Sequence, residues 1–185
     1  MADDLDRRIA SYAKKLNKIK SIEVPRANAS ALNKVSKTIR ARSVKGLNKE
    51  TRIPQKLLRK RVFLGKATAK KQTAEIKNYV KPVPASALLT KNQIATKLGT
   101  GTNRRGVKAK GYEWRGAFIQ PGKNENIQVF KRRSNKRLPV EAIKVPIDSQ
   151  AQIIVPKVAR RAMKSNYRRI LENDLRFRLR KYEVT

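Results

Sequence analysis

The chain has 185 residues, with 47 Lys and Arg against 13 Asp and Glu, no His and no Cys, and so a formal charge of +34. Without imidazole or thiol, the common zinc spacings, Ser-His-Asp and Cys-His triads, disulfide frameworks and thiol redox motifs are excluded. With 39% apolar and 5% aromatic residues, the chain has material for one modest core, and a single domain over 1–185 is predicted.

The first element is marked by Leu5, Ile9, Tyr12, Leu16 and Ile19, which alternate by fours and threes behind Asp3, a capping candidate; a helix of about five turns is predicted. Pro25 suits the start of a second helix, with Ala27, Ala31, Leu32, Val35 and Ile39 on one side, Lys34, Lys37, Arg40 and Arg42 on others, and an end near Gly46. Ile53-Pro54 then opens a short basic helix that buries Leu57, Leu58 and Val62 and leaves Lys56, Arg59, Lys60 and Arg61 outside. Residues 1–62 thus form a helical part.

From Phe63 the period changes. Ala74, Ile76, Asn78 and Val80 alternate with Glu75, Lys77 and Tyr79 as in a strand, and the Pro-punctuated stretch to Leu89 reads as a meander. Residues 99–111, GTGTNRRGVKAKG, read as a flexible basic loop without a core. Tyr112 to Ile119, a Pro121-Gly122 turn, Ile127 to Phe130 and Val140 to Val145 read as two antiparallel strands and a return, completing a strand-rich part over 63–147. Over 148–185, Asp148 or Ser149 is a capping candidate. After Pro156 comes a helix with Val158, Ala162, Met163, Tyr167, Ile170, Leu171, Leu175, Leu179 and Tyr182 on its apolar side. The predicted class is α+β, with N-terminal helices and a long C-terminal helix packed on a small antiparallel β-sheet.

No segment approaches the roughly 18 apolar residues of a membrane helix, and the first residues are acidic rather than export-like, so a soluble protein made in the cytoplasm, with no membrane partner, is expected. A pI near 11.3 calls for an anionic partner, first of all nucleic acid. Between Val24 and Ala74 the only acid is Glu50, and between Ile76 and Tyr112 there is none. The candidate nucleic-acid-binding residues are Arg59, Lys60 and Arg61; Arg104, Arg105, Lys108 and Lys110; and Arg132, Arg133, Lys136 and Arg137. Few aromatics are interleaved with them, which favours phosphate contact without sequence preference. Tyr112, Trp114 and Phe118 stand at strand spacing and read as sheet core rather than a base-stacking platform. The acids are scattered and form no metal-holding pair, and Gly99, Gly101 and Gly106 match neither common phosphate-loop pattern. No catalytic residue, metal ligand or cofactor is expected, and no enzymatic activity.

The order of segments resembles the minor tail protein Z family, also called tail completion protein Z, of long-tailed bacteriophages. The resemblance rests on T-x-I-P-x-x-L-L-R-K-R at Thr51 to Arg61, the strand Gly116-Ala117-Phe118-Ile119-Gln120, and the stretch from Phe130-Lys131-Arg132 through Leu138-Pro139 to Ile143-Lys144-Val145-Pro146-Ile147. It implies a non-enzymatic virion protein acting late in tail assembly at the head-proximal end of the tail. The implied partners are the tail terminator or tail tube protein, the head-tail connector protein and the terminus of the packaged double-stranded DNA. Matching a symmetric tail suggests a closed ring of about six copies whose basic clusters form a sleeve for DNA phosphates. The competing class is a non-viral basic protein of ribosomal-protein type. Such proteins often carry extended basic tails, whereas apolar periodicity here reaches nearly to both ends.

Overall fold

Helical geometry in the computed structural model, which describes residues 2–78, 81–98, 106–122, 125–134, 136 and 138–182, begins at the chain's start. α1 (Ala2–Lys18) passes through a π-helical turn at Ile19–Glu23 into α2 (Val24–Thr51). The two helices predicted here are therefore joined without a loop. Pro25 lacks an amide hydrogen and crowds the preceding turn, and it falls directly after the widened π turn, where the ladder is already rephased.

α2 also runs past Gly46, its predicted end. A β-carbon at Gly46 would stand 3.0 Å from the Ile154 methyl, so this glycine allows close packing and does not stop the helix. The stop comes at Thr51, whose hydroxyl donates to the Leu47 carbonyl at 2.6 Å, and at Arg52, in left-handed geometry with φ 54°. The Arg52 amide returns to the Asn48 carbonyl at 2.8 Å, and the Asn48 side chain donates to the Ile53 carbonyl at 2.7 Å. Such bonds hold a non-glycine residue in a region it rarely occupies. Pro54 then leads into α3 (Gln55–Arg59), as its position predicts.

The chain forms two compact units. The first comprises Met1–Ser43, Val62–Asn78 and Val155–Thr185. In it, β1 (Val62–Gly65) and β2 (Glu75–Asn78) pair antiparallel, with Leu64 opposite Ile76. Ile76, Val158, Tyr167 and Ile170 pack on buried Val35, Ile39 and Ala162. Asn33 fastens the β1–β2 connection to α2: its amide donates to the Ala67 carbonyl at 2.9 Å and its oxygen accepts from the Ala67 amide at 2.8 Å.

The second unit comprises Val44–Arg61 and Tyr79–Ile154. β3 (Val83–Pro84) pairs with β9 (Lys144–Val145), and β4 (Val107–Ala109) with β5 (Tyr112–Trp114). β6 (Ala117–Pro121), β7 (Ile127–Arg132) and β8 (Val140–Ala142) form the predicted two strands and a return. Ala85, Val107, Ala117, Ile119 and Val129 are its buried core, flanked by Leu89, Trp114, Ile127 and Ile143.

The α+β class with helices at both ends holds, and the strands are shared among four small antiparallel sheets among the described residues. Three further boundaries differ from expectation. The predicted basic loop contains β4: Val107 and Ala109 point inward and Lys108 outward, an alternation that the surrounding charge obscured. The predicted strand from Tyr112 to Ile119 is broken at Gly116, with φ 70°, so Tyr112 and Trp114 lie in one sheet and Phe118 in another. The helix predicted after Pro156 starts earlier: α5 spans Asp148–Ala162. Pro156 and Gln152 are both exposed, so water can serve the carbonyl that Pro156 leaves without an amide. A π-helical turn at Met163–Tyr167 and α6 (Arg168–Leu179) complete the rod. The short α4 (Lys91–Lys97), absent from the predicted elements, is started by Thr90 and Gln93 as a capping box.

Candidate nucleic-acid interface

All the sequence-predicted binding residues belong to the second unit; Arg104, Arg105 and Arg137 lie outside the described residues. Arg59 ends α3 and is exposed, as is Lys60 in the turn that follows. Arg61 is half-buried, and its guanidinium donates to the Lys81 carbonyl at 2.8 Å, so one of its hydrogen-bonding edges holds the fold together.

The β4–β5 hairpin brings Lys108 and Lys110 together. Both line an open cavity of about 400 Å³ with Gln93, Gly111, Tyr112 and Glu113. Gly106 permits the hairpin: its φ is 63°, and a β-carbon there would collide with the Trp114 carbonyl. Gln93 donates to the Lys108 carbonyl at 2.9 Å, which ties α4 to the hairpin. Tyr112 and Trp114 stack with ring centroids 5.7 Å apart, and the Tyr112 hydroxyl donates to the Thr51 carbonyl at 2.6 Å. Burial raises the Tyr112 phenol above its ordinary value, with nearby Arg52 pulling the other way, so the phenol stays a donor at neutral pH. Lys108 pairs with Glu113 at 3.1 Å. The hydrogen bond from Lys108, with further help from the charges of Lys108 and Arg115, holds the Glu113 carboxyl below its usual range.

At the far end of β7, Arg132 is half-buried with its guanidinium 5.5 Å from the centre of the Phe118 ring, and Phe118 packs against Phe130 with centroids 6.0 Å apart. Phe118 is buried, as expected of sheet core, although it shares no strand with Tyr112 and Trp114 and the common face expected of the three does not form. Arg133 is paired with Glu141 across the edge of the sheet, while Lys136 is exposed. Several candidates are therefore engaged locally; Lys60, Lys110 and Lys136 point their charge outward. Among the described residues no group of three or more acids could hold a metal ion, and no helix is long and apolar enough to cross a membrane.

Glu23 is a structurally decisive residue that the sequence alone did not single out. It is 1% exposed, accepts from Lys181 at 2.5 Å and Tyr182 at 3.3 Å, and lies 3.5 Å from Arg178. The Lys181 hydrogen bond leads in holding its carboxyl below the ordinary 4.5, against the opposing effect of burial. Its signal in the sequence is position: an acid standing four residues after Ile19 and four before Ala27, on the apolar side.

The family profile described as prophage minor tail protein Z matches residues 9–184. The chain belongs to this family. It is 34% identical over 144 residues to the tail completion protein of Escherichia phage N15, covering 71% of this chain and 73% of that one. It is 27% identical over 142 residues to tail completion protein Z of Escherichia phage lambda, covering 71% and 74%. No solved structure matches the chain. The matched span includes both units, so membership concerns the whole arrangement of helices and small sheets and not one motif within it.

Proposed function

We propose that the chain is a structural tail-completion protein of a phage particle, without catalytic activity, that sits at the head-proximal end of the tail as a ring and positions the genome end by contacting its phosphates. The observation that carries this reading is the family match over residues 9–184, supported by the two phage tail-completion relatives. The partners proposed with it are further copies of the chain, the tail terminator or tail tube protein, the head-tail connector protein and the double-stranded DNA terminus.

Two features support the finer parts. Among the described residues the apolar side of α1 is left uncovered: Ile9, Tyr12 and Leu16 are 57%, 50% and 65% exposed, a stripe suited to a neighbouring subunit. The charge of +34 repels itself unless phosphate or acidic surfaces neutralise it. Direct imaging or immuno-gold labelling of purified particles tests the placement. A ring at the head-proximal tail end is expected, and recovery of the chain on ribosomes or away from particles overturns the reading. Replacing Leu16 by Glu is expected to leave the chain folded and to reduce its self-association in analytical ultracentrifugation. Undiminished association would remove α1 from the ring contact.

A further inference from the structure

The rod formed by α5, the π-helical turn, α6 and the 3₁₀ turn that closes it at Arg180–Tyr182 carries cations on two sides. On the inward side Arg178 and Lys181 meet Glu23, and Arg178 and Lys34 meet Asp174 at 3.0 and 2.7 Å. On the outward side Lys157, Arg161, Lys164, Arg169, Arg176 and Arg180 are all exposed. None of these six has an acid partner among the described residues.

Their spacing is informative. Lys157, Arg161 and Lys164 follow each other by four and three, as one face of an α-helix requires. The next member, Arg169, comes five residues later. In an uninterrupted α-helix it would be rotated roughly 100° out of line, toward the side where Ala162 and Ile170 pack. The π-helical turn at Met163–Tyr167 absorbs the extra residue, so that Arg169, Arg176 and Arg180 continue the same row. The apolar side makes the matching step, from Ala162 to Tyr167. The row spans roughly 35 Å at 1.5 Å per residue, about one turn of duplex DNA.

We infer that this outward row is a binding site for the backbone phosphates of duplex DNA. A continuous helical rod presents its cations at regular intervals, and four of the six are Arg, whose planar forks hydrogen-bond phosphate in pairs. The packing of the opposite face fixes the direction in which they point. Phe177, 72% exposed beside Arg176, gives the site a means of stacking on an unpaired base, so single-stranded DNA is the alternative source of the same phosphates. The inference rests on the DNA-contact part of the proposed function and adds where that contact lies.

The test is fluorescence anisotropy of the full-length protein with a labelled duplex of about 30 base pairs and with one of its strands, over a range of salt. Two triple variants with equal charge change are compared, R161E/R169E/R176E in the row and K45E/K49E/K91E on other exposed positions. The row variant is expected to lose at least about tenfold more duplex affinity than the control. Its dependence of log affinity on log salt is expected to be shallower by about 0.9 for each phosphate that the variant no longer neutralises. R161K/R169K/R176K is expected to retain most of the binding, with circular dichroism melts confirming the fold of each variant. Equal losses in the two charge-reversed variants overturn the site, as does a loss confined to the single strand. Unchanged DNA binding together with failed tail joining also overturns it, and assigns the row to an acidic protein. If the wild-type chain binds neither DNA, the DNA-contact part of the proposed function falls as well, while the placement at the tail end stands on the particle imaging.

Discussion

Both units carry exposed ion pairs, in the first Glu75 with Lys71 and Lys77 and Glu172 with Arg168, but among the described residues only the first also buries acids against cations. In the first, Glu23 is sealed in and gathers Lys181, Tyr182 and Arg178 around one carboxylate, and Asp174 joins Lys34 and Arg178, with Ser30 donating to it at 3.2 Å. In the second, Glu113 and Glu141 meet Lys108 and Arg133 at the surface, where water and salt weaken such pairs to little net stability. A chain with few acids and many cations uses its most deeply buried acid to join helices. The outward cations of the C-terminal rod are left available to another molecule.

Glu23→Gln gives the sharpest break in this contrast. It leaves Arg178 and Lys181 facing a neutral amide in a buried place, and a fall in the thermal midpoint on the order of 5 to 10 °C is expected by calorimetry. The folded-state pKa of Glu23 lies below the ordinary 4.5. Its contribution is therefore complete above about pH 4.5 and is lost as pH falls through the lower folded value. Asp174 acts in the same direction: burial opposes ionisation, but the hydrogen bonds from Lys34 and Arg178 prevail. Acid unfolding of the wild type should steepen below about pH 4.5, and the variant should show a flatter profile there. A wild-type midpoint that stays level down to about pH 3 would remove the linkage.

A smaller effect is expected in the second unit. Tyr112→Phe removes the donor to the Thr51 carbonyl and should cost about 1 kcal/mol in urea unfolding; no loss would mean that water replaces the hydroxyl. Smaller still, Arg133→Ala, which breaks only the exposed pair with Glu141, should leave the urea midpoint unchanged. A clear loss there would make the surface pairs structural after all and erase the contrast. At the bottom of the scale, R161E/R169E/R176E should leave the thermal midpoint unchanged or slightly raised, because it relieves self-repulsion without touching the core. A marked fall would place those side chains in the fold and not on a free face.

Much of the helical architecture is written in apolar spacing: Val35 and Ile39 are buried where the period puts them, and Ile53-Pro54 separates α2 from α3. The misread positions are those where one local signal has two physical meanings. Gly46 looks like a helix end but serves the approach of Ile154. Val107 and Ala109 are strand residues whose alternation is only three residues long and set among cations. Thr90 and Gln93 carry a capping signal just past the Pro-punctuated stretch to Leu89, in a span for which no element is predicted. Among the candidate binding residues, clustering along the sequence finds Lys108 and Lys110, which the hairpin does bring together. Clustering is blind to a row whose members are spread over α5 and α6, since their alignment depends on a turn of five residues.

That wide turn has a consequence for how the gene can change. Removing a single codon within Met163–Tyr167 keeps the translational frame and lets the wide turn close to an ordinary α turn, so α6 keeps its angle to α5. The same loss from a regular turn of α5, between Val158 and Ala162, would rotate one side of the break by roughly 100° against the other and take Ala162 out of line with Val158. The rod in effect has a second reading frame, one of angle, and the wide turn is a place where a residue can be lost without shifting it.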